Sequence, residues 1–238
     1  MKVIPVIDLM RGNVVHARRG ERSRYRPLES KLVSGSDPEH VVEALLDFYP
    51  FETLYLADLD AIQQTGNHFS TIEQLAVRFS EVEFWVDAGI ACKADIERWT
   101  GNLRPVIGSE SLRDCSILGP EVIFSLDFKD DQLLGRADLL SARWPDDVIV
   151  MTLDRVGSAL GPDFAQLERV KKLIPEKRCY CAGGVRNVED LRDLKERDID
   201  GALIASALHD RSLSSADLAS FCFDPVSRNN PGPANCRS

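Results

Sequence analysis

Two aspartates stand at the ends of similar apolar runs, about half a chain apart. Asp8 closes the run VIPVID, and Asp127 closes the run VIFSLD. A single aspartate after a strand usually forms a turn or caps a helix. Two at matching positions favour a function, because opposed carboxyl groups can perform general acid/base chemistry. One takes a proton from carbon while the other gives a proton to oxygen, which requires environments that separate their pKa values.

Two strand-to-helix junctions in the second half of the chain are built from small residues. Gly183 and Gly184 follow one apolar run, and Ala205 and Ser206 follow the next. Small residues let the backbone approach a phosphate closely, and the first N–H groups of a helix can bind it. A tight turn explains either stretch alone, whereas the two together predict a phosphate site.

Matching junctions in the first half form a weaker candidate for a second phosphate site. VDAGIA contains Gly89, and VIGSES contains Gly108 and Ser109. Two phosphate sites on opposite sides of one mouth predict a long ligand with a phosphate at each end. Asp87 stands where a small, uncharged residue is preferred, so it either repels a phosphate or points away. A ligand with a single phosphate is therefore the alternative prediction.

The cysteines and histidines show no metal-site spacing. Of six cysteines only Cys179 and Cys181 are close together, and the four histidines are scattered. Structural zinc sites usually have four well-spaced ligands, so we expect reduced structural thiols and no metal ion. Alternation along a strand would place Cys179 and Cys181 on the same face.

Eight short apolar runs must position these residues. They are rich in Val, Ile and Leu and are not polar at alternate positions, which is typical of parallel strands buried on both faces. The predicted strands are KVIPVID, TLYLAD, VEFWVD, RPVIG, EVIFSLD, DVIVMTLD, RCYCAG and GALIAS. Their alternation with helical patterns is compatible with an eight-stranded (β/α) barrel and with an open doubly wound sheet.

Amphipathic helices are predicted between the strands. In SDPEHVVEALLDFYP, Ser36 or Asp37 is the N-cap and Pro38 lies in the first turn. Further helices are predicted in NHFSTIEQLAVRFS, CKADIERWT, PDFAQLERVKKLIP and NVEDLRDLKERD, with shorter ones near RDCSIL and RADLLSARW. Residues 16–35 form a connection too long for a plain turn, so this loop is either a functional lid or a solvated insertion.

Four blocks recur in the same order in both halves of the chain. VEFWVDAGIACKADIERW, for example, aligns with KRCYCAGGVRNVEDLRDL without a gap. A duplicated four-(βα) unit favours the closed barrel, because two equal halves complete one ring. We therefore predict an α/β protein, a single (β/α)8 TIM barrel over residues 1–220 with half-barrels of about 1–120 and 121–220. Residues 221–238 are predicted to be a tail outside the core. Asp8 and Asp127 then face each other across the catalytic mouth.

Composition excludes several functional classes. The net charge of −9 argues against nucleic acid as the main partner, although local amides can still hold a small phosphorylated ligand. No uninterrupted apolar stretch approaches the roughly 20 residues of a membrane span. Asp8 interrupts the apolar run at the N-terminus, which makes a poor signal peptide, so we expect a cytoplasmic protein without a membrane partner.

The segments VIPVIDLMRGNVVHARRGE, VIGSESL, SLDFK and CAGGVRNVEDL resemble the phosphoribosyl isomerase and cyclase family of histidine biosynthesis. The resemblance covers about residues 1 to 220. It is nearer to the isomerase that converts the formimino-aminoimidazole-carboxamide ribonucleotide from aldose to ketose. It implies a half-barrel duplication, two phosphate sites, and an Amadori rearrangement without cofactor or metal. Asp8 would remove the proton from ribose C2, Asp127 would protonate the ring oxygen, and Thr152 would assist at the reacting centre.

Three segments depart from the family's pattern. The family's Asp-Gly-Thr after strand six is Val156-Gly157-Ser158 here, the turn after strand three is reduced to DAGIA, and the first loop contains RSRYRP. These departures resemble a divergent branch in methanogens and methylotrophs, with a substrate in methanopterin or methanofuran synthesis. Three hypotheses stay open: the histidine-pathway isomerase, a paralogue with another phosphorylated substrate, and a non-catalytic phosphate-binding barrel. Nothing in the sequence demands the glutaminase partner of the cyclase branch.

Overall fold

A closed barrel of parallel strands forms the centre of the molecule. The computed structural model describes residues 1–135 and 144–222. Its strands are β1 (Lys2–Met10), β2 (Asn13–His16), β3 (Arg26–Pro27), β4 (Thr53–Asp58), β5 (Glu83–Asp87), β6 (Leu103–Gly108), β7 (Ile123–Lys129), β8 (Gln132–Leu133), β9 (Asp147–Thr152), β10 (Arg178–Ala182) and β11 (Gly201–Ile204). The parallel strands run β1-β4-β5-β6-β7-β9-β10-β11, and β11 pairs with β1 to close the ring. The predicted TIM barrel and all eight of its strands are confirmed; the duplication stays a prediction.

Helices cover the outside of the barrel. They are α1 (Pro38–Phe48), α2 (Leu59–Ile62), α3 (Phe69–Arg78), α4 (Lys93–Ile96), α5 (Phe164–Leu173), α6 (Val188–Glu196), α7 (Ser206–His209) and α8 (Ser215–Cys222). Short 3-10 turns span Arg22–Arg24, Cys115–Ile117 and Leu153–Arg155. Asp37 caps α1 by accepting hydrogen bonds from two backbone N–H groups. None of the helices in the described ranges has the length and apolarity that a membrane crossing requires.

Two predicted helices differ from expectation or lie outside the described residues. RDCSIL forms only the 3-10 turn Cys115–Ile117, and RADLLSARW falls largely on residues 136–143, which the structure does not describe. At the other end of the chain, α8 reaches Cys222 and Phe221 is buried in the core. The rest of the predicted tail, residues 223–238, also lies outside the described residues.

Alternation along each strand decides which side chains face the barrel interior. Ile4, Trp85 and Tyr180 belong to an inner cluster, whereas Ile7 and Val86 belong to the outer cluster beneath the helices. Positions two apart share a face, so the inner face of a strand ends in the side chain that reaches the mouth. The alternation therefore identifies which side chains can belong to the candidate site.

The floor of the barrel is closed by a network around one buried aspartate. Asp147, at the start of β9, accepts two hydrogen bonds from Arg178, at 2.5 and 2.8 Å, and one from the hydroxyl of Tyr180 at 2.9 Å. Arg104 makes an ion pair with the same carboxylate at 2.6 Å. The Tyr180 ring packs edge-on against Trp85 with centroids 4.9 Å apart. The floor is therefore a packed and charge-paired layer.

Candidate active site

A cavity of about 590 Å³ opens at the carboxyl ends of the barrel strands. Asp8 on β1 and Asp127 on β7 both line it. Three barrel strands separate β1 from β7 in either direction around the ring, so the two aspartates lie on opposite walls. The opposed pair predicted from the sequence thus shares one cavity at the face where barrels of this kind carry catalytic residues.

Asp127 is held in place by its neighbours. Ser125, two residues earlier on the same inner face, donates to one carboxyl oxygen at 2.7 Å. The backbone N–H of Glu110 donates to the other oxygen at 3.4 Å. Burial, with a smaller contribution from the charge of Asp87, raises the pKa of Asp127 to about 7, although the hydrogen bond from Ser125 favours the ionised form. Asp127 is thus a fixed carboxyl group that holds a proton near neutral pH.

Asp8 faces the cavity without a fixed partner. Its carboxyl group has no hydrogen-bond donor among the described residues. Burial, and after it the charge of Asp87, raise the pKa of Asp8 to about 7, while the nearby Arg22 guanidinium lowers it. An unpartnered carboxylate directed into a cavity is free to accept a proton from a ligand.

A third carboxyl group, Asp87 at the end of β5, also lines the cavity. The hydroxyl of Tyr55 donates to it at 3.1 Å, and the backbone N–H of Gly89 donates at 3.2 Å. Burial outweighs these hydrogen bonds and raises the pKa of Asp87. Asp87 therefore faces the cavity instead of pointing away, and repulsion of a phosphate there stays a prediction.

The second-half junctions lie where the sequence analysis expects a phosphate site. Gly183, Gly184, Ala205 and Ser206 all line the cavity. Gly184 has φ +94, and a side chain there would meet the carbonyl oxygen of Gly161 at 2.2 Å, so only glycine fits. Among the described residues, the backbone N–H of Gly184 has no acceptor. The junction thus presents a free donor to the cavity.

The residues of the first-half junctions contact or make room for carboxyl groups, which leaves little space for a phosphate. Ser109 is fully buried; its hydroxyl accepts the backbone N–H of Asp127 at 2.9 Å and donates to the Asp127 carboxyl at 3.5 Å. Gly89 does not line the cavity, and a side chain there would meet the Cα of Ile62 at 2.9 Å. Gly108 does line the cavity, but a side chain there would lie 2.8 Å from Asp127.

Thr152 is not among the residues that line the cavity, whereas its neighbour Met151 is. Val148 and Val150 on the same strand belong to the outer cluster, and Ile149 belongs to the inner one. Strand alternation therefore directs Met151 inward and Thr152 toward the helices. The structure does not bring Thr152 together with the two aspartates.

The long connection after β1 crosses the mouth of the cavity. Its Arg22 reaches the loop after β6 and pairs with Glu110 at 3.4 Å. On the opposite side, the backbone of Arg19 donates to the carbonyl of Val156 at 2.9 Å. His16 contacts the Ser206 hydroxyl at 3.1 Å. The loop therefore lies over the cavity as a lid, and its functional role stays a prediction.

Sequence reasoning missed several residues that shape the site. Ser125 and Tyr55 lie on inner strand faces, and alternation from Asp127 would have identified Ser125. Arg22 lies in an irregular loop, and no local pattern predicts that its side chain reaches the mouth. Arg155 follows β9, lines the cavity, and bonds only the carbonyl of Leu160 among the described residues.

The described part of the chain contains no candidate metal centre. No cluster of three or more His, Cys, Asp or Glu side chains in it is arranged to hold an ion. Cys179 and Cys181 share the outer face of β10, as predicted, and are buried beneath the helices. Burial raises the pKa of Cys179 to about 12. These thiols pack beneath the helices and are not among the residues that line the cavity.

Comparison with known proteins identifies the family. The model of the histidine biosynthesis protein family matches residues 2–214. The chain belongs to this family. The match spans nearly the whole barrel, from β1 into the loop before α8. The resemblance that the sequence segments suggested is thereby confirmed.

Several known proteins align with most of the chain. A Methanocaldococcus jannaschii protein, described as uncharacterised, is 32% identical over 219 residues, covering 88% of this chain and 93% of that protein. A Thermus thermophilus protein is 28% identical over 236 residues, covering 88% and 95%. A Nitrosopumilus maritimus protein is 24% identical over 236 residues, covering 90% and 96%. The last two are named as isomerases of a bis-phosphoribosyl imidazole-4-carboxamide.

Proposed function

We propose that this chain is an aldose–ketose isomerase that acts on a phosphoribosyl aminoglycoside by general acid/base catalysis. The observation that carries the proposal is the pair Asp8 and Asp127 on opposite walls of one cavity. Membership of a family whose relatives are named as isomerases supports the same reaction class. Met151, instead of Thr152, lines the cavity at its strand end, so the proposed mechanism uses the two aspartates alone.

The reaction needs one acid and one base on opposite sides of a ribose. Asp127 donates its proton to the ring oxygen as the bond from that oxygen to C1 breaks, which leaves an iminium group at C1. Asp8 then removes the proton from C2, and the electrons of that C–H bond neutralise the iminium nitrogen to form an enolamine. Tautomerisation of the enolamine gives the ketose. No redox partner is consumed, because the oxidation of C2 balances the reduction of C1.

The pKa values support these roles near neutral pH. Both aspartates have pKa values of about 7, so states in which only one of the two carries a proton are populated at that pH. The fixed hydrogen bonds of Asp127 orient it for donation, whereas Asp8 has no competing donor. An acid and a base with pKa values near the working pH are the most effective catalysts of proton transfer.

The phosphate of the substrate is proposed to lie at the second-half junctions. Gly184 offers a free N–H, and Ser206 offers a hydroxyl beside His16. Arg155 adds a positive charge in the same part of the cavity lining. With the phosphate held there, the ribose would extend between Asp8 and Asp127.

A second candidate, a paralogue that acts on another phosphorylated substrate, is favoured by one observation. Asp87 and Glu110 line the cavity where the first-half phosphate site was expected. A second phosphate would lie beside these carboxyl groups, and like charges repel strongly where water is scarce. The reaction class would be the same, and only the distal part of the substrate would differ.

The test is an assay of the purified protein with the histidine-pathway aldose nucleotide, together with Asp8→Asn and Asp127→Asn variants. Each substitution is expected to reduce turnover by about 10²–10⁴-fold, because each removes one proton-transfer group. Incorporation of solvent deuterium at C2 gives a second readout, and it should be lost in Asp8→Asn. Asp146→Asn is the matched control, since Asp146 is exposed at the floor of the barrel and pairs with Lys177.

The outcomes separate the candidates. Turnover by the parent protein that survives both substitutions would contradict the mechanism. No turnover of the nucleotide, combined with slow deuterium exchange into simpler phosphoribosylamines, would favour the second candidate. Binding of phosphorylated ligands without turnover or exchange of any of them would instead indicate a non-catalytic barrel.

A further inference from the structure

Acidic side chains outnumber basic ones on one wall of the cavity. Four acidic residues line the wall formed by β1, β5, the loop after β6, and β7: Asp8, Asp87, Glu110 and Asp127. The wall formed by the loops after β9 and β10 carries Arg155 and the N–H of Gly184, whereas Arg186 there is paired with Asp190 at 2.7 Å. Asp210, after α7, also lines the cavity. A ligand group that reaches the acidic wall is therefore bound best when it carries a positive charge.

The carboxyl groups converge on the place of the expected first-half phosphate site. A side chain added at Gly108 would lie 2.8 Å from a carboxyl oxygen of Asp127 and 3.9 Å from one of Asp87. The glycine thus leaves room for two carboxyl groups, not for a phosphate. Ser109, the hydroxyl expected to bind that phosphate, is bonded to Asp127.

The described residues supply less positive than negative charge to this wall, since Arg22 and Lys129 stand against four carboxyl groups. Arg22 is close enough to lower the pKa values of Asp8 and Asp87, but its ion pair is with Glu110. Asp8 has no donor within the described ranges, and Asp87 has only a phenol and a backbone N–H. Carboxyl groups out of bulk water are costly to ionise without a counter-charge. A cation from the ligand would provide it.

We propose that the substrate carries a single phosphate, bound at the second-half junctions, and a cationic nitrogen at the distal end, bound by Asp87 and Glu110. This inference rests on the proposed function, because it takes the cavity of Asp8 and Asp127 as the active site. The substrate class is then a phosphoribosylamine whose aglycone bears a protonated amine or amidine. The second phosphate in the substrate named for the isomerase relatives has no place in this arrangement.

Three probes with the same five-carbon chain test the proposal without any turnover: aminopentyl phosphate, hydroxypentyl phosphate and pentane bisphosphate. Their affinities are measured by calorimetry on the full chain at neutral pH. Aminopentyl phosphate should bind at least about tenfold more tightly than either of the others, because it gains charge-assisted hydrogen bonds. Asp87→Asn and Glu110→Gln should each reduce that preference several-fold, whereas Asp146→Asn should leave it unchanged.

Each other result overturns the proposal. Tightest binding by pentane bisphosphate, equal affinity for all three probes, or no measurable binding of aminopentyl phosphate would each contradict it. Glu110→Gln keeps the test valid if Asp87→Asn fails to fold, since Glu110 is partly exposed. The proposed function can fail independently of this inference. A preference for the amine without any isomerase activity would contradict the proposed function. Efficient turnover of the bis-phosphorylated nucleotide would support the proposed function and contradict this inference.

Discussion

The two ends of the barrel interior both remove carboxyl groups from bulk water, but they treat them in opposite ways. At the floor, burial alone would raise the pKa of Asp147, yet Arg178 and Arg104 lower it to about 2. At the mouth, burial raises the pKa values of Asp8 and Asp127 to about 7. The hydroxyl and backbone donors of Asp127 are too weak to reverse the effect. The difference lies in the counter-charge.

This contrast assigns the two ends different tasks. A carboxylate that is paired with two guanidinium groups stays ionised at every physiological pH, so it can stabilise the fold but cannot exchange protons with a ligand. Carboxyl groups with little counter-charge reduce stability when they ionise, yet their pKa values match the needs of proton transfer. The floor is suited to stability and the mouth is suited to chemistry.

The largest expected effect on the fold is at the floor. Asp147→Asn should reduce the free energy of unfolding by about 3 kcal/mol, because it removes one partner of a buried ion-pair network. Urea denaturation followed by circular dichroism measures the change. Asp146→Asn, one residue earlier and exposed, should change the same quantity by less than about 0.5 kcal/mol. Equal effects of the two substitutions would contradict the conclusion that the buried ion-pair network at the floor stabilises the fold.

An effect of intermediate size is expected in the pH dependence of stability. The raised pKa values of Asp8 and Asp127 stabilise the folded state below about pH 4, the ordinary range of aspartate, and this stability is lost as the pH rises through about 7. Asp147 acts in reverse, since its stabilisation is present above about pH 4 and is lost as the pH falls through about 2.

Urea denaturation from about pH 5 to pH 8 should therefore show a decrease in unfolding free energy of the order of 1 kcal/mol per aspartate, because solvent in the cavity screens part of the effect. Asp8→Asn and Asp127→Asn should each flatten that slope and be more stable than the parent protein at pH 8. A slope that persists in both variants would mean that other groups titrate in this range.

Much of this arrangement could be predicted from the sequence, and the part that could not depends on tertiary contacts. The barrel follows from apolar runs, and Asp8 and Asp127 follow from their places at strand ends. The role of Ser109 could not be predicted, because the small hydroxyl residue that suits a phosphate equally suits a neighbouring carboxyl group. Whether it serves one or the other depends on how β6 packs against β7.

The same limit explains Thr152 and Arg22. The resemblance to the family pointed to Thr152, but the alternation of β9 directs that side chain outward, and a shift of one residue reverses the face. Arg22 lies in a loop whose path across the mouth is set by contacts with Glu110 and Val156, far away in sequence. Period-two patterns predict which face a residue occupies, but they do not predict how a loop folds over it.

The smallest effect is expected from substitutions of two neighbours of the aspartates. It tests most directly what sets the pKa values at the mouth. Arg22 favours the ionised form of Asp8, so Arg22→Gln should raise the pKa of Asp8 by about half a unit and leave that of Asp127 in place. Ser125 favours the ionised form of Asp127, so Ser125→Ala should raise only the pKa of Asp127 by a similar amount.

Carbon-detected NMR titration of the carboxyl groups measures both values without any substrate. Arg24→Gln is the matched control, because Arg24 lies in the same lid but pairs with Glu21 and is largely exposed. If the two substitutions shift the same aspartate, the acid and the base are not tuned independently. Independent shifts would show that the lid sets the base while the barrel wall sets the acid, so closure of the lid would change the proton affinity of Asp8 alone.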